Sequence, residues 1–459
     1  MDAPCVSVAG VARRWATGGV FAVWALTGGA GSARGQVAPP APESLAVGDW
    51  ELVPLVELRA RPEYRRDLDK NNYGTLVERA RLGVDAARGA LEARVVLQDA
   101  RTLNLGAIVS PLVGPGSAGV TGAFEAWGEA HTDAMRPSYV RVGRQAITWG
   151  EGRLLGESDW SPAGRSLDAV RGRLVAGDGS FELLAAALTD PQNGLALDAY
   201  GELFGARAEW PFDPLFAIEA YGLARIAQDN PVVSLGRSVR GQTYTGALRL
   251  HGDAHGWTWG AEGAYQLGHA DDLDASRAAW AVGGHVAFAP EGIALHPSLQ
   301  IGADYATGDS GGATYRTFDP LLPDAHRWYG EMDLFAWSNH AEANARVAVV
   351  PWTDVALAIE YRYAGLAQPG AAWRSGFLTE IGTAPGNTDR YLGQEIDAIA
   401  RWSPWEPLAL ELDYSLFFVG HGARTILMAD GIGKVQSNGA LSTESLSQFA
   451  YLQATLRIP

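Results

Sequence analysis

Residues 76–101 read LVERARLGVDAARGALEARVVLQDAR. In 76–87, Arg79, Arg81 and Asp85 fall on one side of a two-residue alternation, and Ala80, Leu82, Val84 and Ala86 on the other. A tight ARGA turn at 87–90 follows. In 90–101, Glu92, Arg94 and Gln98 oppose Leu91, Ala93, Val95 and Leu97. This is a hairpin of two strands with one polar and one apolar face. Strands of about 9–13 residues suit a tilted crossing of a bilayer, whereas sandwich strands run shorter. With polar residues inside and apolar residues outside, a closed barrel satisfies every backbone group within the membrane.

The same alternation recurs along the chain. Glu57, Arg59 and Arg61 oppose Val56, Leu58 and Ala60 in 50–61. Glu360 and Arg362 oppose Ile359, Tyr361 and Tyr363 in 354–364, and Glu411 and Asp413 oppose Leu408, Leu410, Leu412 and Tyr414 in 407–418. Tight Pro/Gly/Asp turns stand at 176–180, 211–214, 252–256, 290–294, 351–354 and 403–407. Longer loops such as 307–338, 365–390 and 419–445 fall between them, so every second connection is expected to be short. The pattern predicts an all-β fold: a transmembrane antiparallel up-and-down β-barrel of about eighteen strands, with short periplasmic turns and long extracellular loops. A lumen of that size admits water and solute.

Composition agrees. Of 459 residues, 47% are hydrophobic, yet no run long enough for a transmembrane helix lies outside the N-terminus. Glycine (56 residues) suits crowded inner walls, and the 16 tryptophans suit membrane interfaces. Residues 1–33 read as a signal peptide, with Arg13 and Arg14, the apolar stretch Val20–Leu26 and small residues at Gly31-Ser32-Ala33. Residues 34–48 read as a flexible periplasmic linker, and 49–459 as the barrel, placed in a bacterial outer membrane. The only cysteine, Cys5, falls within the signal, so the expected mature chain has no thiol chemistry. Net charge is −16, which taken alone argues against a polyanion partner.

The distribution of arginine changes that argument. The chain has two lysines, Lys70 and Lys434, and 34 arginines. Many arginines fall on the polar strand face: Arg59, Arg61, Arg79, Arg81, Arg94, Arg141, Arg171, Arg173, Arg362 and Arg401. Part of the bias is codon usage in a GC-rich genome, but placement carries the rest. Guanidinium groups stay charged and bind carboxylates through paired hydrogen bonds, and a ring of them makes an anion-selective constriction. For a single arginine, a wall ion pair with a lumenal acid is the competing role.

Residues 138–173 (SYVRVGRQAITWGEGRLLGESDWSPAGRSLDAVRGR) read as two strands, 138–147 and 166–176, joined by a glycine-rich link carrying Arg153, Trp160 and Arg165. Gly150, Gly152 and Gly156 allow this link to fold back tightly into the lumen. Here the chain resembles the alginate export family of outer-membrane porins. The resemblance rests on Gly143-Arg144-Gln145, Gly150, Arg153, Trp160 and Ser166-Leu167-Asp168-Ala169-Val170-Arg171. RARPEYRR at 59–66, ERARLGVDA at 78–86 and FDPLLPDAHRWYG at 318–330 with Asp333 are similar too. It implies an eighteen-stranded barrel whose arginine-lined, anion-selective pore passes a polyuronate outward. It carries family roles to Arg59, Arg79, Arg144, Arg153 and Arg171, with Asp168 as an inward acid. Alternation places Arg144 on the face of Val140 and Val142, so its inward role requires a bulge at Gly143. Leu167 stands where the family pattern has an aromatic, and the chain ends in Leu-Arg-Ile-Pro rather than an aromatic, with Phe449 and Tyr451 on the same strand.

Other chemistry is sparse. No two of the nine histidines have metal-ligand spacing on one strand, and no cofactor is expected. Asp271, Asp272, Asp274 and Asp309 fall in outer loops, where acids hold Ca²⁺ weakly or are simply solvated. His131, His269, His326 and His421 show no triad, so an enzyme is not expected. Glu360 and Glu411 are expected to pair with arginines rather than catalyse. The expected function is an outer-membrane porin passing anionic solutes, with an acidic polysaccharide such as alginate as cargo. The alternatives are a passive porin for sugar acids and, in other classes, a barrel enzyme or a plugged structural barrel. Expected partners are lipid and lipopolysaccharide, an anionic polysaccharide or sugar acid, and periplasmic export proteins. The barrel is expected to be monomeric and to bind no nucleic acid.

Overall fold

Period-two alternation builds one antiparallel sheet that closes on itself. The structure, a computed structural model, describes residues 44–104, 119–132, 137–189, 199–227, 241–270, 273–436 and 441–458. Eighteen strands form the wall. The first six are β1 (Trp50–Arg66), β2 (Asn72–Arg88), β3 (Leu91–Asn104), β4 (Gly119–His131), β5 (Tyr139–Gln145) and β6 (Leu167–Ala176). Next come β7 (Gly179–Thr189), β8 (Ala199–Asp213), β9 (Phe216–Ala227), β10 (Gly241–Ala254), β11 (Trp257–Ala270) and β12 (Ala275–Phe288). The last are β13 (Ser298–Ala306), β14 (His340–Trp352), β15 (Val355–Gly365), β16 (Tyr391–Trp405), β17 (Leu408–Val419) and β18 (Leu446–Ile458). Each strand pairs with its sequence neighbours, and β18 closes the barrel on β1, with Val56 opposite Ile458 and Arg66 opposite Gln448. Closure leaves no sheet edge to be satisfied in lipid.

The outer face is apolar. Leu58, Leu82, Val95, Val142, Val170, Leu248, Ile359 and Leu412 are exposed, while the intervening side chains point into the lumen. Two aromatic girdles flank this band. Trp210, Phe212, Trp257, Trp352, Trp402 and Trp405 lie beside the short turns, and Tyr244, Tyr265, Trp280, Tyr363 and Phe418 lie near the loops.

The connections define a turn end and a loop end. Two-residue turns join β2 to β3, β6 to β7, β8 to β9, β10 to β11, β14 to β15 and β16 to β17. Long segments 146–166, 307–339, 366–390 and 420–445 stand at the other end. The expected strict alternation of short and long connections is not kept. At the loop end, 67–71 and 271–274 are short, and at the turn end 132–138 and 289–297 are longer. Antiparallel pairing constrains the strands, whereas connection length outside the sheet is free. The expected linker 34–48 ends in a short strand, Leu45–Val47, that folds back on β1 through Gly48 in the left-handed region (φ 62°). Residues 1–43, with the signal segment, lie outside the described residues.

The loop-end half of the lumen is filled by these long segments. Trp149, Leu154 and Leu155 of 146–166 bury with Phe318, Leu321, Trp328, Tyr329, Met332, Phe335 and Trp337 of 307–339 and Trp373 of 366–390. A helix that the sequence pattern did not announce, α1 (His421–Ala429), adds Ala423, Ile426 and Leu427 to this core. The turn-end half is wetter: the side chains of Arg94, Arg141 and Arg207 are 26%, 21% and 22% exposed. The barrel is thus a water-lined vestibule below an inward-folded core.

Candidate functional site

Alternation along β1 and β2 aims Arg59, Arg61 and Arg65 of one strand and Arg79 and Arg81 of the next at the lumen, with Arg59 directly opposite Arg79. All five are buried. What buries them is the segment 146–166, which folds inward as its glycines allow. Gly150 and Gly152 take φ of 59° and 79°. A Cβ on Gly156 would lie 2.7 Å from the Asp324 Cβ, so glycine permits the close approach of the two inward segments there. Main-chain bonds knit them: Gly156 N–H donates to the Leu322 carbonyl (2.9 Å), Leu322 N–H to Leu154 (3.0 Å) and Asp324 N–H to Gly152 (2.8 Å). Arg165 ties the same crossing by donating to the carbonyls of Gly156, Leu322 and Pro323.

The arginine strip holds the tip of the segment. Arg59 donates to the carbonyls of Asp159 (2.7 Å) and Ser161 (2.9 Å), Arg61 to that of Trp160 (3.0 Å), and Arg81 to that of Ala163 (3.2 Å). Arg79 pairs with Glu57 (2.6 Å) and the Asp159 carboxylate (2.8 Å). Arg65 donates to the Met332 carbonyl (2.9 Å) and lies over the Phe449 ring. Burial works against the Asp159 charge, but Arg79, Arg59, Arg81 and Arg457 outweigh it and hold the carboxyl well below the usual range. Its neighbour Glu157 has no such partner set; burial, then the Asp159 and Asp324 charges, push it up to about 7.

Above this strip the two inward segments meet in a stack. The Trp160 ring lies parallel to His326, centroids 3.7 Å apart, with the Arg61 guanidinium 3.3 Å over its other face. Trp160 Nε1 donates to Asp333 (2.7 Å). His326 is held between Asp333 (3.0 Å) and Glu331 (3.2 Å). Burial opposes its charge, but these two carboxylates raise it well above the ordinary histidine value. Glu331 is lowered to about 2 because His326 outweighs the cost of its burial.

The remaining sequence-derived residues divide by location. Arg153 is fully buried between the two inward segments and β13, pairing with Asp304 (2.5 Å) and Glu151 (3.2 Å). Arg94 pairs with Asp85 and Glu125, Arg141 with Glu129, and Arg171 with Glu182, all around the turn-end vestibule. Arg362 joins Glu342 and Glu360, and Arg401 joins Glu411, so both carboxylates of the Glu360–Glu411 pair are engaged by arginine.

Arg144 and Asp168 differ from the expectation. The register of β5 against β4 and β6 runs without a shift through Gly143, so no bulge turns Arg144 inward. Gln145 and Leu167 are buried inward, and their neighbours Arg144 and Asp168 therefore face outward. There they pair with each other (2.7 Å), and Arg144 also reaches Thr189. Asp168 is an outer-wall acid and not an inward one. The pair sits at the loop-end limit of β5 and β6, where a charge on the outer face costs least. Of the acids expected in outer loops, Asp271 and Asp272 lie outside the described residues. The Asp309 carboxylate accepts from the main-chain N–H groups of Gly311 and Arg316. No group of metal-ligating side chains comes together among the described residues.

Several functional candidates escaped the pattern. Asp159 and Arg457 complete the arginine strip, and His326 becomes central only through the stack. On the other side of β18 from the strip, Glu395, Asp397 and Asp413 are fully buried on β16 and β17. Asp413 accepts from Ser415 (2.6 Å), while neither oxygen of Asp397 is hydrogen-bonded among the described residues. The alternation marked Asp413 as lumenal but carried no sign of this clustering.

Comparison with known proteins agrees with this architecture. No curated protein matches the chain in sequence. Among solved structures, the outer membrane protein OpdK of Pseudomonas aeruginosa is similar, with a TM-score of 0.55 at 12% identity over 88% of this chain and 98% of that one. OccK2 (OpdF) of the same organism has a TM-score of 0.57 at 10% identity over 89% and 97%, and has also been solved in complex with glucuronate. OccAB1 of Acinetobacter baumannii has a TM-score of 0.57 at 9% identity over 89% and 97%. At these identities the likeness shows the fold, an eighteen-stranded outer-membrane barrel of the porin kind. The sequence profile described as "Alginate export" matches residues 56–426, most of the wall and all of the inward segments 146–166 and 307–339. With that match and this lumen, the chain belongs to the alginate export family, a family of outer-membrane channels and not of enzymes.

Proposed function

We propose that the channel passes anionic solutes through its arginine-lined lumen, and that its cargo is an acidic polysaccharide of the alginate kind moved toward the loop end. The observation that carries this reading is the strip of Arg59, Arg61, Arg65, Arg79 and Arg81 on adjoining lumenal positions of β1 and β2. Its donors hold mostly main-chain carbonyls of the inward segments and not wall acids. When those segments withdraw, the donors are free for carboxylates, which guanidinium binds in paired fashion. Neighbouring acids such as Glu57 and Glu63 keep each contact weak enough for release. The same chemistry serves a small sugar acid, and the fold shared with OccK2, solved with glucuronate, favours uptake of such solutes as the second reading.

The test is single-channel recording of the purified barrel in a planar bilayer. Reversal potentials in a salt gradient give ion selectivity, and mannuronate oligomers are added against neutral oligosaccharides of equal length. Anion-selective current blocked by the charged oligomer alone is expected. Block by monomeric glucuronate but not by the oligomer would favour the uptake reading. Cation selectivity, or equal block by the neutral sugar, would overturn the arginine-lined pathway.

A further inference from the structure

Four guanidinium groups converge on one carboxylate in this lumen. The Asp159 carboxylate lies 2.8 Å from Arg79, 3.3 Å from Arg81, 3.7 Å from Arg457 and 3.9 Å from Arg59. The arginines stand on three strands, β1, β2 and β18, whereas Asp159 arrives on a loop about a hundred residues away in sequence from Arg59. The wall supplies one acid of its own to this cradle, Glu57, which pairs with Arg79 and Arg457. Four positive charges against one wall carboxylate leave an excess that an anion must balance. Asp159 balances part of it here.

Three features mark Asp159 as a removable occupant and not part of the wall. Its side chain is 36% exposed to the lumen, so a dissolved anion can reach the position it fills. The preceding residue, Ser158, holds a left-handed backbone (φ 48°), a conformation that costs a non-glycine residue free energy and is kept by the docked contacts. Toward the cradle strands, most side-chain hydrogen bonds to the tip of the segment end on carbonyl acceptors of Asp159, Trp160, Ser161 and Ala163, each contact replaceable by a water or a sugar oxygen.

We infer that Asp159 is a built-in competitor of the cargo: it occupies the cradle of Arg59, Arg79, Arg81 and Arg457 as a tethered stand-in for a uronate carboxylate. This rests on the channel reading above and specifies where and how the cargo engages. An arriving polyuronate takes over the four guanidinium groups, Asp159 leaves with the tip of its loop, and occupancy of the site and clearing of the lumen become one equilibrium. A tethered carboxylate competes at an effective concentration in the millimolar range or above, so the free ligand sees only the fraction of cradles the loop has vacated.

The experiment is titration of a mannuronate hexamer into the full barrel in nanodiscs, wild type against Asp159→Asn, with single-channel block recorded in parallel. Removing the competitor is expected to tighten binding of the hexamer about tenfold. Trp160→Ala, which loosens the loop without touching the cradle, is expected to tighten it in the same direction. Arg457→Ala is expected to weaken it. Hexamer binding that is equal or weaker in both Asp159→Asn and Trp160→Ala, with block intact in the wild type, would overturn the stand-in while leaving the anion channel standing. A wild-type channel that neither selects anions nor is blocked would overturn the channel reading, and the site with it.

Discussion

Arg153→Ala distinguishes a clamp from a pore-lining charge. The side chain is 1% exposed, pairs with Asp304 at 2.5 Å and Glu151 at 3.2 Å, accepts no water-facing role, donates to the Tyr329 hydroxyl (3.0 Å) and stacks on Trp328 at 4.2 Å. It joins 146–166 to both 307–339 and β13. Truncation leaves Asp304 buried without its guanidinium partner, while Glu151 keeps Arg249 (3.4 Å), and breaking a buried pair on one side costs about 3–5 kcal/mol. At ~1.4 kcal/mol per decade, opening of the inward core should become roughly 10²- to 4 × 10³-fold more frequent. Hydrogen exchange reads this directly at the amides of Gly156, Leu322 and Asp324, which bond between the two inward segments. Their protection is expected to fall by that factor while wall amides stay protected. Arg153→Met, which keeps the packing on Trp328 but not the charge, should lose nearly as much. Exchange within threefold of wild type, combined with a loss of anion selectivity, would refute the reasoning and return Arg153 to the pore lining.

Three further outcomes follow from the same geometry. Arg144→Ala and Asp168→Ala, which remove an outer-wall pair, are expected to leave conductance and ion selectivity unchanged in planar bilayers; a selectivity shift in either would mean that the pair faces the lumen. His326 is raised above its unfolded value near ~6.5, so its stabilisation of the stacked segments is full below that pH and is lost as pH rises through the higher folded value. Glu331 contributes stability above ~4.5 that is lost as pH falls toward about 2. Open probability is therefore expected to be low and flat near neutrality and to rise in alkali, and a His326→Gln channel with the wild-type alkaline profile would contradict this. Asp397→Leu, which exchanges a buried carboxyl lacking hydrogen bonds for an apolar side chain of similar size, is expected to raise unfolding stability by about 1–3 kcal/mol, measured as a denaturant midpoint in lipid vesicles; a lowered midpoint would show that the carboxyl has a stabilising partner.

The legible part of this protein follows one rule. Hairpin 76–101 showed its two faces because side chains alternate with period two, and the structure places Arg79, Arg81 and Arg94 inward and Leu82 and Val95 outward accordingly. Glycines 150, 152 and 156 allowed an inward fold, the first two through positive φ and the third through its close approach to Asp324. Arg144 shows the limit of motif transfer. Alternation put it outside, the family resemblance required a bulge to bring it in, and the unbroken register of β5 followed alternation.

What the sequence by itself determined is the wall: strand count, the lumenal face with its arginines, the apolar face with its two girdles, and the segment that turns inward. These are local, repeating consequences of backbone geometry and of a solvent that demands closed pairing. Only the tertiary structure decided what the arginines hold. Arg59 meets Asp159 across a hundred residues and Arg153 meets Asp304 across 151. No periodicity reports such meetings, because a loop's landing place is set by charge balance and packing summed over many distant groups. What the arginine face of β1 and β2 meets is therefore decided by where residues 146–166 come to rest.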